Sequence, residues 1–132
     1  MKARPSILLA VAAGGALGAL TRYAVALALA GGDLPWGTLA ANACGSLLIG
    51  LYAGAMVCGR IKPGLVQRHF VVTGFCGGFT TFSIFSLEIV LLAQAGEAGP
   101  ALLYLVLSIV LWFAGVAAGW KLAGARLRPV RP

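Results

Sequence analysis

Apolar residues run almost unbroken through four stretches, Ser6–Ala30, Trp36–Gly59, Val66–Ala93 and Ala101–Ala123. The segments between them are short: Gly31–Pro35, Arg60–Leu65 and Gln94–Pro100. A hydrocarbon core of about 30 Å takes about 20 helical residues to cross, so each stretch is long enough to span. No period-two alternation marks a strand, and no stretch remains for a soluble domain. The pattern predicts an all-α membrane protein, a single unit (1–132) of four transmembrane helices in membrane lipid. Apolar residues are 61% of the 132 positions and charged ones 10%, whereas a soluble domain is about a quarter charged.

The third stretch differs from the others. Gly74-Phe75-Cys76-Gly77-Gly78-Phe79-Thr80-Thr81-Phe82-Ser83-Ile84-Phe85 places three glycines and three hydroxyl residues inside an apolar run. Non-helical backbone survives at membrane depth only where protein or a polar cavity satisfies it. A break here would free carbonyls in mid-membrane, the way transporters build ion sites. The function is expected there.

Charge sets the orientation. The formal net charge is +7. Lys2 and Arg4 precede the first span, Arg60, Lys62 and Arg68 lie about the second loop, and Lys121, Arg126, Arg128 and Arg131 follow the fourth. Four spans put all of these on one side, and the opposite loops carry only Asp33 and Glu97. The positive-inside rule predicts both termini in the cytoplasm. Without a basic face on a folded surface, no nucleic-acid partner is expected. Ala28-Leu29-Ala30 looks like a cleavage site, but the preceding apolar run is longer than a signal h-region of about 7–15 residues and contains Arg22. Cys44, Cys58 and Cys76 read as small packing residues, and a single His gives no zinc spacing.

Polar side chains inside the spans fall in sets. Thr38, Asn42 and Ser46 recur every four residues on the second span and share a face. Their donors fit an anion path and equally fit interhelical hydrogen bonding. Phe82 and Phe85 lie on one face just after the glycines, with electropositive ring edges suited to an anion or to core packing. Tyr104 and Ser108 form another pair at i, i+4. Arg22 and Glu88 are costly charges within spans, and an ion pair between them is one option. Small-xxx-small pairs at Gly14/Gly18, Gly50/Gly54, Gly74/Gly78 and Gly115/Gly119 allow close helix packing, within the chain or between subunits.

These residues, in this order, resemble the Fluc (CrcB) fluoride channel family. Gly14-Gly15-x-x-Gly18 with Thr21-Arg22 carries the likeness on the first span, and Trp36-Gly37-Thr38-Leu39-x-x-Asn42-x-x-Gly45 on the second. The most diagnostic block is Val72 to Glu88 on the third. The resemblance implies passive fluoride export through an antiparallel dimer of four-helix subunits with two pores. It further implies a structural Na⁺ held by carbonyls at the third-helix break, matching Gly77 and Thr80 of each subunit. Asn42 would then lie on the pore, Phe82 and Phe85 would touch fluoride, and Tyr104 and Ser108 would form a polar track. Trp112 departs from the family's pattern and either narrows that track or turns outward to lipid. The implied location is the bacterial inner membrane, and no enzyme motif is present.

The one-sided Lys/Arg count bears on assembly, because a subunit that inserts both ways needs balanced charge. The partner is therefore either a tolerant second copy or an oppositely oriented paralogue. The alternative function is a small multidrug-type proton-coupled exporter. That chemistry places a carboxylate on the first span, where this chain has Arg22 instead.

Overall fold

The computed structural model describes residues 4–124. Lys2, Arg126, Arg128 and Arg131, used in the charge argument, lie outside the described residues. Among the described residues every regular element is helical, and four helices are long and apolar enough to cross a membrane. Helix α1 is Pro5–Ala28 and α2 is Trp36–Val57. The third span, Leu65–Gln94, is composite. It begins with α3 (Leu65–Arg68), continues as a π-helical segment (His69–Cys76), passes through α4 (Gly77–Phe79) and resumes as α5 (Ser83–Gln94). Helix α6 is Ala98–Leu122.

Two glycine seams hold the helices in pairs. On the first, α1 meets the π-helical segment and α4. A Cβ at Gly14 would strike the Phe70 carbonyl oxygen, one at Gly18 the Phe75 oxygen, and one at Gly78 the Gly15 oxygen. On the second, α2 meets α6, where a Cβ at Gly50 would strike Val116 oxygen and one at Gly119 the Leu47 oxygen. Backbones this close maximise dispersion contact, which drives helix association where lipid is as apolar as leucine. All four small-xxx-small pairs are consumed inside the chain. The side chains they leave outside, such as Leu9, Leu20, Leu102 and Phe113, are exposed and suit acyl chains.

The interruption of the third span falls within the Gly74–Phe85 stretch, but after its glycines. Gly77 and Gly78 are helical, and the non-helical residues are Thr80, Thr81 and Phe82. Thr80 is extended, with φ −88° and ψ 156°. The reason is packing: Gly74 and Gly78 are glycine because α1 lies against them, with Gly74 Cβ space only 2.9 Å from Val11 oxygen. Beyond the break, α5 has left α1 and packs on α6. There Leu39, Phe85 and Tyr104 form the buried core, with Leu92, Leu105 and Leu111 around them.

Candidate functional site

Breaking a helix strands main-chain groups, and three side chains meet that need. Asn42, 4% exposed on α2, takes both polar groups of Thr81. Its Nδ2 donates to the Thr81 carbonyl (2.9 Å), and Thr81 N–H donates to its Oδ1 (2.7 Å). An amide side chain has a donor and an acceptor at one end, so a single Asn replaces the two missing helix bonds. Arg22 Nε on α1 donates to the Gly78 carbonyl (3.2 Å). The Thr81 hydroxyl accepts from Ile84 N–H (3.2 Å) in the first turn of α5. Two carbonyls at the break stay open: no donor among the described residues reaches the oxygens of Gly77 or Thr80.

The break opens into a groove of about 490 Å³ between α2, the third span and α6. Asn42, Ser46, Gly77, Thr80, Phe82 and Trp112 are among its walls. Gly45 lets the wall approach, since a Cβ there would strike Thr80 Cγ2. Phe82 stands 70% exposed at the groove, whereas Phe85, 5.6 Å away between ring centroids, is 3% exposed in the core. The two rings therefore touch but do not share one environment as their spacing had suggested. Trp112 turns inward: its ring meets Phe85 edge-on at 4.8 Å and lies 6.4 Å from Phe82.

A second polar cluster lies behind Phe85. Glu88 accepts two hydroxyl hydrogen bonds, from Thr38 Oγ1 to Oε1 (2.8 Å) and from Tyr104 Oη to Oε2 (2.7 Å). Thr38 is 7% exposed and Tyr104 is wholly buried. Thr38 and Glu88 also face a cavity of about 330 Å³ beside the Gly31–Pro35 loop, which Asp33 and Trp36 help to line. Ser108, one turn beyond Tyr104, is 1% exposed. The Phe85 ring contacts both Tyr104 (5.3 Å) and Phe82 (5.6 Å) and so stands between the two polar clusters.

The structure thus divides the residues singled out from sequence. Asn42, Ser46, Gly77, Thr80 and Phe82 gather at the groove, and Thr38, Glu88, Phe85, Tyr104 and Ser108 lie in the core beside it. Arg22 and Glu88 do not form the ion pair raised above. Arg22 is engaged by a carbonyl beside the break and Glu88 by two hydroxyls. Sequence reasoning missed the role of Thr81 and the tie that Asn42 makes to it. The signal was present: a break between hydrophobic runs demands a side chain able to donate and accept together, and the α2 stripe offered one Asn.

Comparison with known proteins follows the same residues. The profile of the family described as "CrcB-like protein, Camphor Resistance (CrcB)" matches residues 9–120. The chain is 46% identical over 117 residues to "Fluoride-specific ion channel FluC 1" of Nitrobacter hamburgensis, covering 86% of this chain and 92% of that one. It is 47% identical over 115 residues to "Fluoride-specific ion channel FluC" of Agrobacterium fabrum, covering 85% and 91%. It is 48% identical over 115 residues to "Fluoride-specific ion channel FluC 1" of Bradyrhizobium diazoefficiens, covering 86% and 81%.

Proposed function

The chain belongs to the CrcB family, a family of ion channels rather than enzymes, and on that premise we propose that it is the subunit of a fluoride-selective channel. It lets fluoride leave the cytoplasm down its electrochemical gradient. Uncharged HF crosses bilayers and ionises inside, so a passive exit suffices to lower cellular fluoride. The observation that carries this reading is the groove at the broken third span, where hydroxyls, an amide and a phenyl ring face one space at membrane depth.

Fluoride is small and strongly hydrated. A protein path must replace its water with close donors while remaining too narrow for chloride. The groove offers the Ser46 hydroxyl and Asn42, whose amide keeps one N–H beyond the bond to Thr81, while the Thr80 hydroxyl is given to the Cys76 carbonyl. The Phe82 and Phe85 ring edges add weak positive contacts that do not hold the ion as a full charge would. From the groove the path passes Phe85 to Ser108 and Tyr104, then reaches Thr38 and the cavity by the Gly31–Pro35 loop. Glu88 acts there as an anchor that aims two hydroxyls, and Arg22 supports the break from α1.

The open carbonyls of Gly77 and Thr80 fit a structural Na⁺, because hard cations take oxygen ligands. Two oxygens are too few for such an ion, so a second subunit would complete the set. Bound there, the ion would supply a fixed positive charge that lowers the cost of an anion nearby. The exposed Phe82 and the open side of the groove also suit closure by a partner. Assembly is then an antiparallel dimer with two pores in the inner membrane. Its partner is a second copy or an oppositely oriented paralogue. Labelling cysteines added to the first and second loops of intact cells separates these, since equal labelling of both loops from outside means that the chain inserts both ways.

Efflux from proteoliposomes, read with a fluoride electrode, tests the function. Fluoride should leave rapidly without a proton gradient, and chloride should be retained. Equal release of chloride, or a requirement for a proton gradient, would overturn the reading.

A further inference from the structure

The cavity beside the Gly31–Pro35 loop differs from the groove at the break in the sign of its walls. Asp33 and Glu88 both line it, and no Lys, Arg or His among the described residues does. The groove has no acidic wall. Glu88 is engaged, since each of its oxygens takes a hydroxyl hydrogen bond. Asp33 is exposed in the turn between α1 and α2, and nothing lining the cavity opposes its charge. Gly31 and Gly32 shape that turn, with φ of 108° and 89° that glycine adopts without penalty.

An unopposed carboxylate is a poor neighbour for an anion. Low-dielectric walls focus its field, and dissolved salt screens it only over about 10 Å at 0.1 M. A compact space of about 330 Å³ is no wider than that, so Asp33 acts on any ion within it. Glu97, the other acid of the same side, stands at the start of α6 and lines neither the cavity nor the groove. The two acids therefore separate a charge at the mouth from a charge elsewhere on that surface.

We propose that Asp33 is an electrostatic brake at the mouth of the fluoride path: its charge lowers fluoride occupancy of the loop-side cavity and so sets the rate and the salt dependence of conduction. The inference rests on the fluoride-channel reading above and on a path that ends at this cavity. A barrier at one end of a passive path slows the ion in both directions, so the effect does not depend on how the subunit is oriented.

Fluoride efflux from proteoliposomes of uncharged lipid tests it, at ionic strengths of about 0.01 M and about 1 M set with sodium gluconate, where screening reaches about 30 Å and about 3 Å. Asp33→Asn keeps the size of the side chain and deletes its charge. At the lower strength it should conduct about two- to threefold faster than wild type, and at the higher strength the two should agree. Asp33→Glu keeps the charge and should follow wild type at both strengths. Glu97→Gln should follow wild type as well. An Asp33→Asn rate that is unchanged or slower at low salt overturns the role of Asp33. So does a gain that persists at high salt, or one that Glu97→Gln reproduces, and each of these leaves the channel reading intact. Absence of fluoride efflux from the wild-type chain would instead sink the channel reading itself.

Discussion

The two halves of the third span are held by opposite means. From His69 to Phe79 the chain lies against α1 backbone to backbone, with glycines on both sides of the seam. From Ser83 to Gln94 it lies against α6 through side chains, Phe85 on Tyr104 and Glu88 on the Tyr104 hydroxyl, and among the described residues α5 does not meet α1 at all. The first half is thus intolerant of atoms added at Gly74 and Gly78, on its α1 face. The second is sensitive to the loss of particular polar ones. The break between them lets one span change neighbours, and Asn42 fastens the point of exchange.

That contrast can be broken at either end. The largest effect is expected in the first half, where Gly78→Val drives a side chain into the Gly15 carbonyl. Overpacking of that kind should cost about 3 kcal/mol. The exposed Leu87→Ala on α5 should change stability by no more than about 0.5 kcal/mol. Unfolding titrations of both variants in detergent measure the difference, and equal losses would remove the distinction.

At the junction, Asn42→Ala leaves the Thr81 N–H and carbonyl unpaired. The expected loss is about 2–3 kcal/mol, with fluoride efflux suppressed. Asn42→Asp keeps an acceptor for the N–H but brings a negative charge to the groove, so it should abolish efflux while destabilising less than Asn42→Ala. The same efflux assay and melting measurement, run side by side, separate the two variants.

The smallest effects belong to the second half. Tyr104→Phe and Thr38→Val each remove one donor from Glu88 and should cost about 1 kcal/mol. Because both donors serve one carboxylate, a double-mutant cycle should show the pair to be non-additive. Strict additivity would mean that Glu88 finds other partners.

Much of this was legible in the chain. Four apolar runs of spanning length announce four helices, and the small-xxx-small pairs announce the seams, although not which helix pairs with which. The polar stripe Thr38–Asn42–Ser46 correctly marks one face, yet its members serve different ends: Thr38 reaches Glu88, Asn42 reaches Thr81 and Ser46 lines the groove. Such division depends on neighbours some 39 to 50 positions away in sequence, which periodicity does not encode. The glycines sit beside the break rather than in it for a related reason. Glycine permits a bend and permits close approach, and only the presence of α1 selects the second use. An ion pair between Arg22 and Glu88 is one option by charge, and the fold instead gives Arg22 the Gly78 carbonyl and Glu88 two hydroxyls.

The winding of His69–Cys76 has a consequence for how this chain can vary. A π-helical stretch carries an additional residue relative to ordinary α pitch. Deleting one amino acid between His69 and Cys76 would let the coil tighten to standard pitch and absorb most of the loss, whereas deleting one from Gly77 to Thr80 would turn everything downstream by about 100°. Thr81 would then swing away from Asn42. Loss of one residue should therefore be better borne within His69–Cys76 than in the glycine turn that follows it.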